Sequence, residues 1–206
     1  VISAGGEQVA LSDQQHFSRL PVTPERDEDG SWKSIQIVLP GRTLSARIWR
    51  VQVGRIPLYL LDTDYEANLE NDRSITHSLY GGDNENRLKP EILLGIGGIR
   101  ALRSLGLDTD IYHCNEGHAA FTGLERMREY IHDVNLTYPE ALELVRASSL
   151  FTTHTPVPAG HDAFEEDMLR AYIAHYPERL QITWNQLMNL GRYHPNMVHE
   201  KFSMSV

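Results

Sequence analysis

TDIYHCNEGHAAFTGLE, residues 109–125, is the stretch whose reading decides the fold. Ile111 and Tyr112 suit a strand, and Asn115 is a residue type that caps helix amino termini. Phe121, Leu124, Met127 and Ile131 then recur at helical spacing, which predicts a helix over 117–133 after a strand over 110–114. The polar residues Asn115, Glu116 and His118 fall on the turn between the two. In an open α/β sheet, ligands bind at the turns beyond the carboxyl ends of the strands. LFTTHTPVPAGHD, residues 150–162, repeats the design, with Thr153 and His154 closing a strand over 149–153. Two such turns on neighbouring strands share one crevice.

Outward from this unit, a helix is predicted over 138–147 with Pro139 at its first position. Another is predicted from about 163 to 174, and a short last one over 182–192 with Gly191 at its end. The alternation of strand and helix indicates parallel strands covered by helices. Upstream the texture differs. IQIVL, LSARIWRVQV and IPLYLLD read as strands joined by short links at 40–42 and 54–55, which makes them antiparallel neighbours. Leu44, Ala46 and Ile48 alternate with Ser45, Arg47 and Trp49, the pattern of a strand with one wet face. A helix over 85–105 carries the stripe Leu88, Ile92, Ile96, Ile99 and Leu102. Gly95, Gly97 and Gly98 inside it each cost about 1 kcal/mol relative to alanine, so a neighbour is expected to pack closely there. Pro90 is tolerated only near a helix start, which moves the expected start to Lys89 or Pro90. Residues 62–87 are polar and irregular, a long loop of the kind that carries function. Residues 1–33 read as a surface loop or poorly ordered lead-in.

A chain of 206 residues with 41% hydrophobic content can bury a core. Its net charge of −9 argues against a nucleic-acid partner and leaves neutral polar ligands open. No apolar run approaches a membrane span. Cys114 is the single cysteine, so no disulfide forms within the chain, as suits a cytoplasmic protein. The chain starts without Met and ends abruptly in FSMSV, which reads as a piece of something larger.

His113, Cys114, His118, His154 and His161 invite a metal reading, but their spacing is no zinc framework and no metal is expected. Cys114 beside a histidine suggests a thiol nucleophile only on paper, and no nucleophile elbow accompanies it. No phosphate-binding glycine loop is present either, since GIGG at 95–98 lies inside a helix. What remains suits a sugar, whose hydroxyls both donate and accept. Asp83 and Asn84 on the long loop, Asn115, Glu116 and His118 on one turn, and Thr153 and His154 on the next offer that chemistry. Read alone, Asn115 also serves as a cap and Glu116 as a first-turn acid favoured by the helix dipole. A polar Thr-Thr-His-Thr at a strand end has no use in a core.

LYGGDNENRLKPEILLGIGGIRAL, HCNEGHAAF and FTTHTPVPAGHDAF, in this order, resemble the bacterial and archaeal α-glucan (glycogen) phosphorylases. The likeness covers roughly residues 35–206. It implies an α/β fold, the Rossmann-like first half of a glycosyltransferase-B architecture, with the antiparallel strands near its start. Residues 34–206 then form part of that N-terminal domain. It implies phosphorolysis of α-1,4-glucan by orthophosphate to glucose 1-phosphate, with pyridoxal phosphate held by a lysine outside this chain. By resemblance, His154 is the catalytic-site residue that holds the glucosyl unit. Asp83 and Asn84 match a gating loop, and Arg87 an arginine that anchors it. Glu116 and His118 line the glucan path, with Asn115 and Thr153 beside them. Partners implied are the glucan, orthophosphate and the remainder of the parent polypeptide, and a homo-oligomer is compatible with the family.

The chain departs from the family at Pro90, where glutamine is usual. It also lacks the upstream phosphate-cradling glycine loop and the downstream cofactor lysine. The isolated chain is therefore expected to be inactive. Two alternatives are half of a synthase-type nucleotide-sugar glycosyltransferase and a non-catalytic carbohydrate-binding domain. The first calls for a Lys-x-Gly-Gly loop that is absent here. The second calls for a face of exposed aromatics, whereas Trp32, Trp49 and Trp184 are scattered.

Overall fold

The computed structural model describes residues 1–8, 17–77, 83–154, 156 and 161–206. It is a mixed α/β structure with an antiparallel sheet near the start and a parallel strand pair further on. The sheet comprises β1 (Val22–Pro24), β2 (Ser34–Leu39), β3 (Arg42–Val53) and β4 (Ile56–Asp62). Gly41 and Gly54 stand at positive φ in the two tight links, a conformation glycine adopts without a Cβ penalty. β3 is the spine: β2 pairs with its first half, and β1 and β4 with its second, all antiparallel. The lead-in before residue 34 thus contributes β1 to the sheet. No helix among the described residues is long and apolar enough to cross a membrane.

Ile35, Ile37, Leu39, Leu44, Ala46 and Ile48 form the buried face of this sheet. The opposite face is not simply wet. Arg47 lies 4.2 Å over the Trp32 ring and bonds Asp62 at 2.9 Å, while Trp49 packs on Trp32 and Phe17. At Ser45, where β3 has no strand on its outer side, the Asn68 side chain takes that place. Its Oδ1 accepts from Ser45 N at 2.8 Å and its Nδ2 donates to Ser45 O at 2.7 Å. Asp72, in α1 (Glu70–Arg73), takes the Arg42 guanidinium in a two-pronged ion pair. The described part of the long polar loop therefore completes the sheet, because an unpaired strand edge would otherwise need water. Residues 78–82 of that loop lie outside the described residues.

The helix expected to start at Lys89 or Pro90 starts earlier. It runs as α2 (Asn84–Ile92), a π-turn at Leu93–Gly97 and α3 (Gly98–Ser104). Asp83 caps it, accepting from Asn86 N at 3.0 Å, and that cap outweighs the interior position of Pro90. Leu88, Ile92, Ile96 and Ile99 are buried as expected, but Leu102 is only half-buried and Ala101 turns inward in its place. The extra residue in the π-turn shifts the stripe. The run lies between the antiparallel sheet and α4 (Thr122–Asp133), whose Leu124, Met127 and Ile131 are buried with Phe121. Phe121 sits at the N-cap of α4.

β5 (Tyr112–Asn115) precedes α4, and α5 (Tyr138–Ala147) leads to β6 (Ser149–Thr152). β5 and β6 are parallel neighbours, with Asn115 opposite Thr152. α5 begins with a Thr137–Glu140 capping box, and Pro139 is its second residue rather than its first as expected. The segment expected as one helix from 163 begins instead as β7 (Ala163–Phe164), which pairs with β8 (Phe202–Ser203). α6 (Glu166–Ile173) and α7 (Tyr176–Leu180) follow, and α8 (Trp184–Asn189) is the predicted short last helix, now bounded by a Thr183–Gln186 capping box.

Gly95 explains why glycine persists inside the helical run. A Cβ there would come within 2.7 Å of Phe121 Cβ and 2.9 Å of Thr122 N, whereas one at Gly98 would meet nothing. Gly95→Ala is expected to lower the unfolding free energy by about 1–3 kcal/mol through overpacking. Gly98→Ala should instead raise it by about 0.4–1 kcal/mol by restricting the unfolded chain. Urea unfolding of the two variants separates them, and equal effects would remove the close-approach explanation.

Candidate functional site

Two polar tiers meet around the carboxyl ends of β5 and β6. The first consists of Asn115, Glu116, Thr153 and His154. The ladder runs one step past β5, with Glu116 N donating to Thr152 O at 2.9 Å. Glu116 then turns the chain with φ 55° and ψ −171°, a conformation that costs a non-glycine residue about 1–3 kcal/mol. Its side chain is thereby delivered across to the next strand's turn, where a carboxylate oxygen accepts from His154 N. That bond, with help from the Thr153 hydroxyl, holds the Glu116 carboxyl below the usual carboxylate range. The His154 ring is exposed, with Nε2 3.4 Å from Asn115 Oδ1. Below them His113 Nε2 meets Thr152 Oγ1 at 2.6 Å.

Asn115 is therefore not the helix cap its residue type suggested. It is the last residue of β5, and Gly117–Ala119 form a 3-10 turn before α4. Gly117 allows this turn because a Cβ there would lie 2.7 Å from Met204 Cβ and from Met204 O. The segment that blocks it also reaches the second turn, since Met204 N donates to Asp162 O at 2.9 Å.

The second tier lies behind the first. His118 comes from the 3-10 turn, Arg87 and Glu91 from one face of α2, and Asp162 from the segment entering β7. Arg87 is ion-paired with Asp162. His118 Nδ1 lies 3.4 Å from Glu91 Oε1 and 3.7 Å from Asp162 Oδ2. Burial, with Asp162 close by, pushes the Glu91 carboxyl up to about 9 against the opposing pull of Arg87. Glu91 and Asp162 were missed in the sequence. Arg87 and Glu91 are four apart on a helix and so share a face, a spacing that signals Glu91. Only the fold brings Asp162 to them.

Asp83 and Asn84 lie at the amino end of α2, one turn before Arg87, and the described role of Asp83 is the helix cap. Thr155 and residues 157–160 of the second turn lie outside the described residues.

Of the histidines and cysteine that suggested a metal, only His118 joins a compact set among the described residues. Glu91, His118 and Asp162 each place one ligand-type atom within 4.8 Å of the others. Arg87 already supplies positive charge there. Cys114 is half-buried and its thiol is raised by burial, the opposite of an activated nucleophile. A hollow of about 1090 Å³ lies at the other end of the strands beside Asp108–Asp110. Its charged walls are paired internally, as Arg100 with Glu125 and Arg103 with Glu129, and it stands apart from the polar tiers.

No protein-family model matches the chain. Over 191 residues, 93% of the chain, it is 41% identical to the maltodextrin phosphorylase of Thermococcus litoralis, of which it covers 23%. Over 160 residues, 75% of the chain, it is 46% identical to the glycogen phosphorylase of Mycobacterium tuberculosis, of which it covers 18%. The glycogen phosphorylase of Aquifex aeolicus is 31% identical over 205 residues, and the chain covers 29% of it. The chain thus spans less than a third of the length of these relatives.

The tie between Glu116 and His154 has a direct readout. In Glu116→Ala the His154 amide should lose its slowed hydrogen exchange, while Asn115→Ala leaves it slowed. Because the Glu116 carboxyl is depressed in the folded state, the protection is present above the ordinary carboxylate range. It should persist into that range and disappear only in stronger acid. Exchange measured by NMR checks both, and an amide equally protected in Glu116→Ala would sink the tie.

Proposed function

Since the chain belongs with one segment of the glycogen and maltodextrin phosphorylases, we propose that it forms one wall of the catalytic crevice of an α-glucan phosphorylase. The observation that carries this reading is the pair of turns at the ends of adjacent parallel strands, joined by the Glu116–His154 hydrogen bond. In the proposed reaction orthophosphate adds to C1 of the terminal glucosyl unit. The bond from C1 to the glycosidic oxygen breaks, a proton passes to that oxygen, and glucose 1-phosphate and a shortened α-1,4-glucan leave.

His154 holds the glucosyl unit, and Glu116 fixes the backbone from which His154 projects. Asn115, Thr153 and His118 supply further donors and acceptors to the glucan path. Asp83 and Asn84 belong to a gating loop. Arg87 anchors that loop to the second turn, a role favoured by its ion pair with Asp162. The first tier contains no arginine or lysine and carries a carboxylate, so it suits neutral sugar hydroxyls and repels phosphate. Orthophosphate is then held by residues of a longer protein.

The same holds for pyridoxal phosphate. Lys33 bonds Asp27 and Ser104 O, Lys89 bonds Glu85, and Lys201 bonds Glu165. None of them lies in either polar tier, so these residues do not fit a cofactor linkage and no step through it is assigned to this chain. The finer fold reading, one Rossmann-like half of a glycosyltransferase-B architecture, is favoured by the exposed strands. Leu150 and Phe151 of β6 are 53% and 46% exposed, and parallel strands are ordinarily covered on both faces. No observation favours the synthase or binding-module readings.

The test is glucose 1-phosphate release from maltodextrin by a phosphorylase-length protein that contains this sequence. His154→Ala should lower kcat by about 10²–10³-fold and change KM for glucan little, as when one transition-state donor is removed. Glu116→Ala should follow His154→Ala, while Glu116→Gln, which keeps an acceptor oxygen, should cost much less. A normal kcat in well-folded His154→Ala would remove this residue from the site. The isolated chain should release no glucose 1-phosphate.

A further inference from the structure

Glu91 is buried, and its Oε2 has no hydrogen-bond partner among the described residues. Its Oε1 has only His118 Nδ1 at 3.4 Å. The Asp162 carboxylate approaches the same point and is held there by Arg87. Two carboxylates with one guanidinium beside them leave one negative charge unmatched where Glu91 itself is buried. A buried ionised carboxylate without a donor is costly, and a proton removes that cost. A neutral Glu91 supplies its own donor, and Asp162 is the acceptor beside it.

We propose that Glu91 and Asp162 share one proton, and that this carboxyl pair is a pH-sensitive latch holding the Glu116–His118 turn against α2. Three elements meet at the pair: α2 through Glu91 and Arg87, the turn through His118, and the segment entering β7 through Asp162. These are the titratable and charged groups that face it among the described residues. The neighbouring His161 is engaged with Ser205 Oγ at 2.8 Å. With the proton in place the group is neutral overall apart from His118. Without it, two adjacent carboxylates push α2 away from the β7 segment, and the turn between them loosens. Glu91 and Asp162 act on the polar site through that turn and are positioning residues. The inference does not depend on the proposed reaction.

The sign of the pH dependence follows from the raised Glu91 carboxyl, which goes from an ordinary 4.5 to about 9 on folding. Between those values the folded chain keeps a proton that the unfolded chain has released. This stabilisation is complete below the lower value and is lost as pH rises through the upper one. One proton makes the unfolding constant rise about tenfold per pH unit across that window.

The experiment is urea unfolding of the full chain from pH 5 to 9, compared with Glu91→Gln, whose amide donates to Asp162 and cannot titrate. The wild-type unfolding constant divided by that of the variant should climb about tenfold per pH unit, other groups cancelling in the ratio. A ratio independent of pH would overturn the proposal. Should the variant not fold, the wild-type chain alone decides. The His118 ring resonances should move between pH 8 and 10, where the neighbouring Glu91 carboxyl loses its proton, and unchanged resonances would overturn it. Stabilisation of wild type, but not of Glu91→Gln, by magnesium or zinc ions at pH 7 would put a cation where the proton is proposed and would likewise overturn it.

Discussion

The approach of Gly95 to Phe121 and Thr122 sets the spacing on which the rest depends. Backbone meets backbone there, since no side chain fits between the π-turn and the start of α4. That contact fixes α2 relative to β5, because the turn Gly117–Ala119 immediately precedes Phe121. The turn is fixed on its other side by Met204, which leaves no room for a Cβ at Gly117. Glu91 on one element and His118 on another thus come within 3.4 Å, and Arg87 on the face of Glu91 reaches Asp162.

Two charges buried behind this frame are held by fixed neighbours. Glu125 on α4 is fully buried and accepts from Arg100 Nε at 2.8 Å, Arg128 Nε at 3.0 Å and Tyr176 Oη at 2.5 Å. Burial alone would raise its carboxyl, but these donors hold it below the ordinary range. Arg126, 1% exposed, lies 3.8 Å over the Tyr112 ring and donates to the hydroxyls of Ser148 and Ser149. That arrangement ties α4 to both parallel strands at their amino ends. Breaking such a buried set by removing one partner costs several kcal/mol, so it fixes geometry even where its net contribution to stability is small. Rigid pairing at one end of the strands leaves the other end to be shaped by turns.

The two polar tiers differ in exposure and so in use. His154 is open to solvent and its ring is held only loosely, at 3.4 Å from Asn115, which leaves its capacity for a ligand. Glu116 spends one carboxylate oxygen on the backbone and adopts a strained φ to do so. Strain of this kind persists only where surrounding contacts enforce it. Glu91 and Asp162 are screened from solvent and answer to protons. The exposed turn residues thus rest on a second set whose two carboxylates are largely covered.

The sequence by itself determined the local elements and the exposed tier. Apolar runs joined by short links gave the three antiparallel strands, and alternation gave the two faces of the middle one, because side chains on a strand alternate with period two whatever lies across from them. Helical spacing gave α4 and the run around Gly95, while Pro139 and Gly191 marked the helices that became α5 and α8. Thr153 and His154 stood out because a polar run at a strand end has no use in a core, whereas Asn115 and Glu116 read equally as a cap and a first-turn acid. Tertiary structure decided what depends on through-space partners. It made Asn115 the end of a strand, since the ladder with β6 outbids its capping tendency. It started α2 at Asn84 and inserted the π-turn, because packing against Phe121 settles the helical register. It turned the second face of β3 into an aromatic layer of Trp32 and Trp49 with Arg47, and closed the open edge at Ser45 with Asn68. It also assembled Glu91 with Asp162, 71 residues apart along the chain. Sequence spacing encodes neighbours within an element, whereas a shared proton or a missing Cβ depends on which surfaces the fold brings into contact.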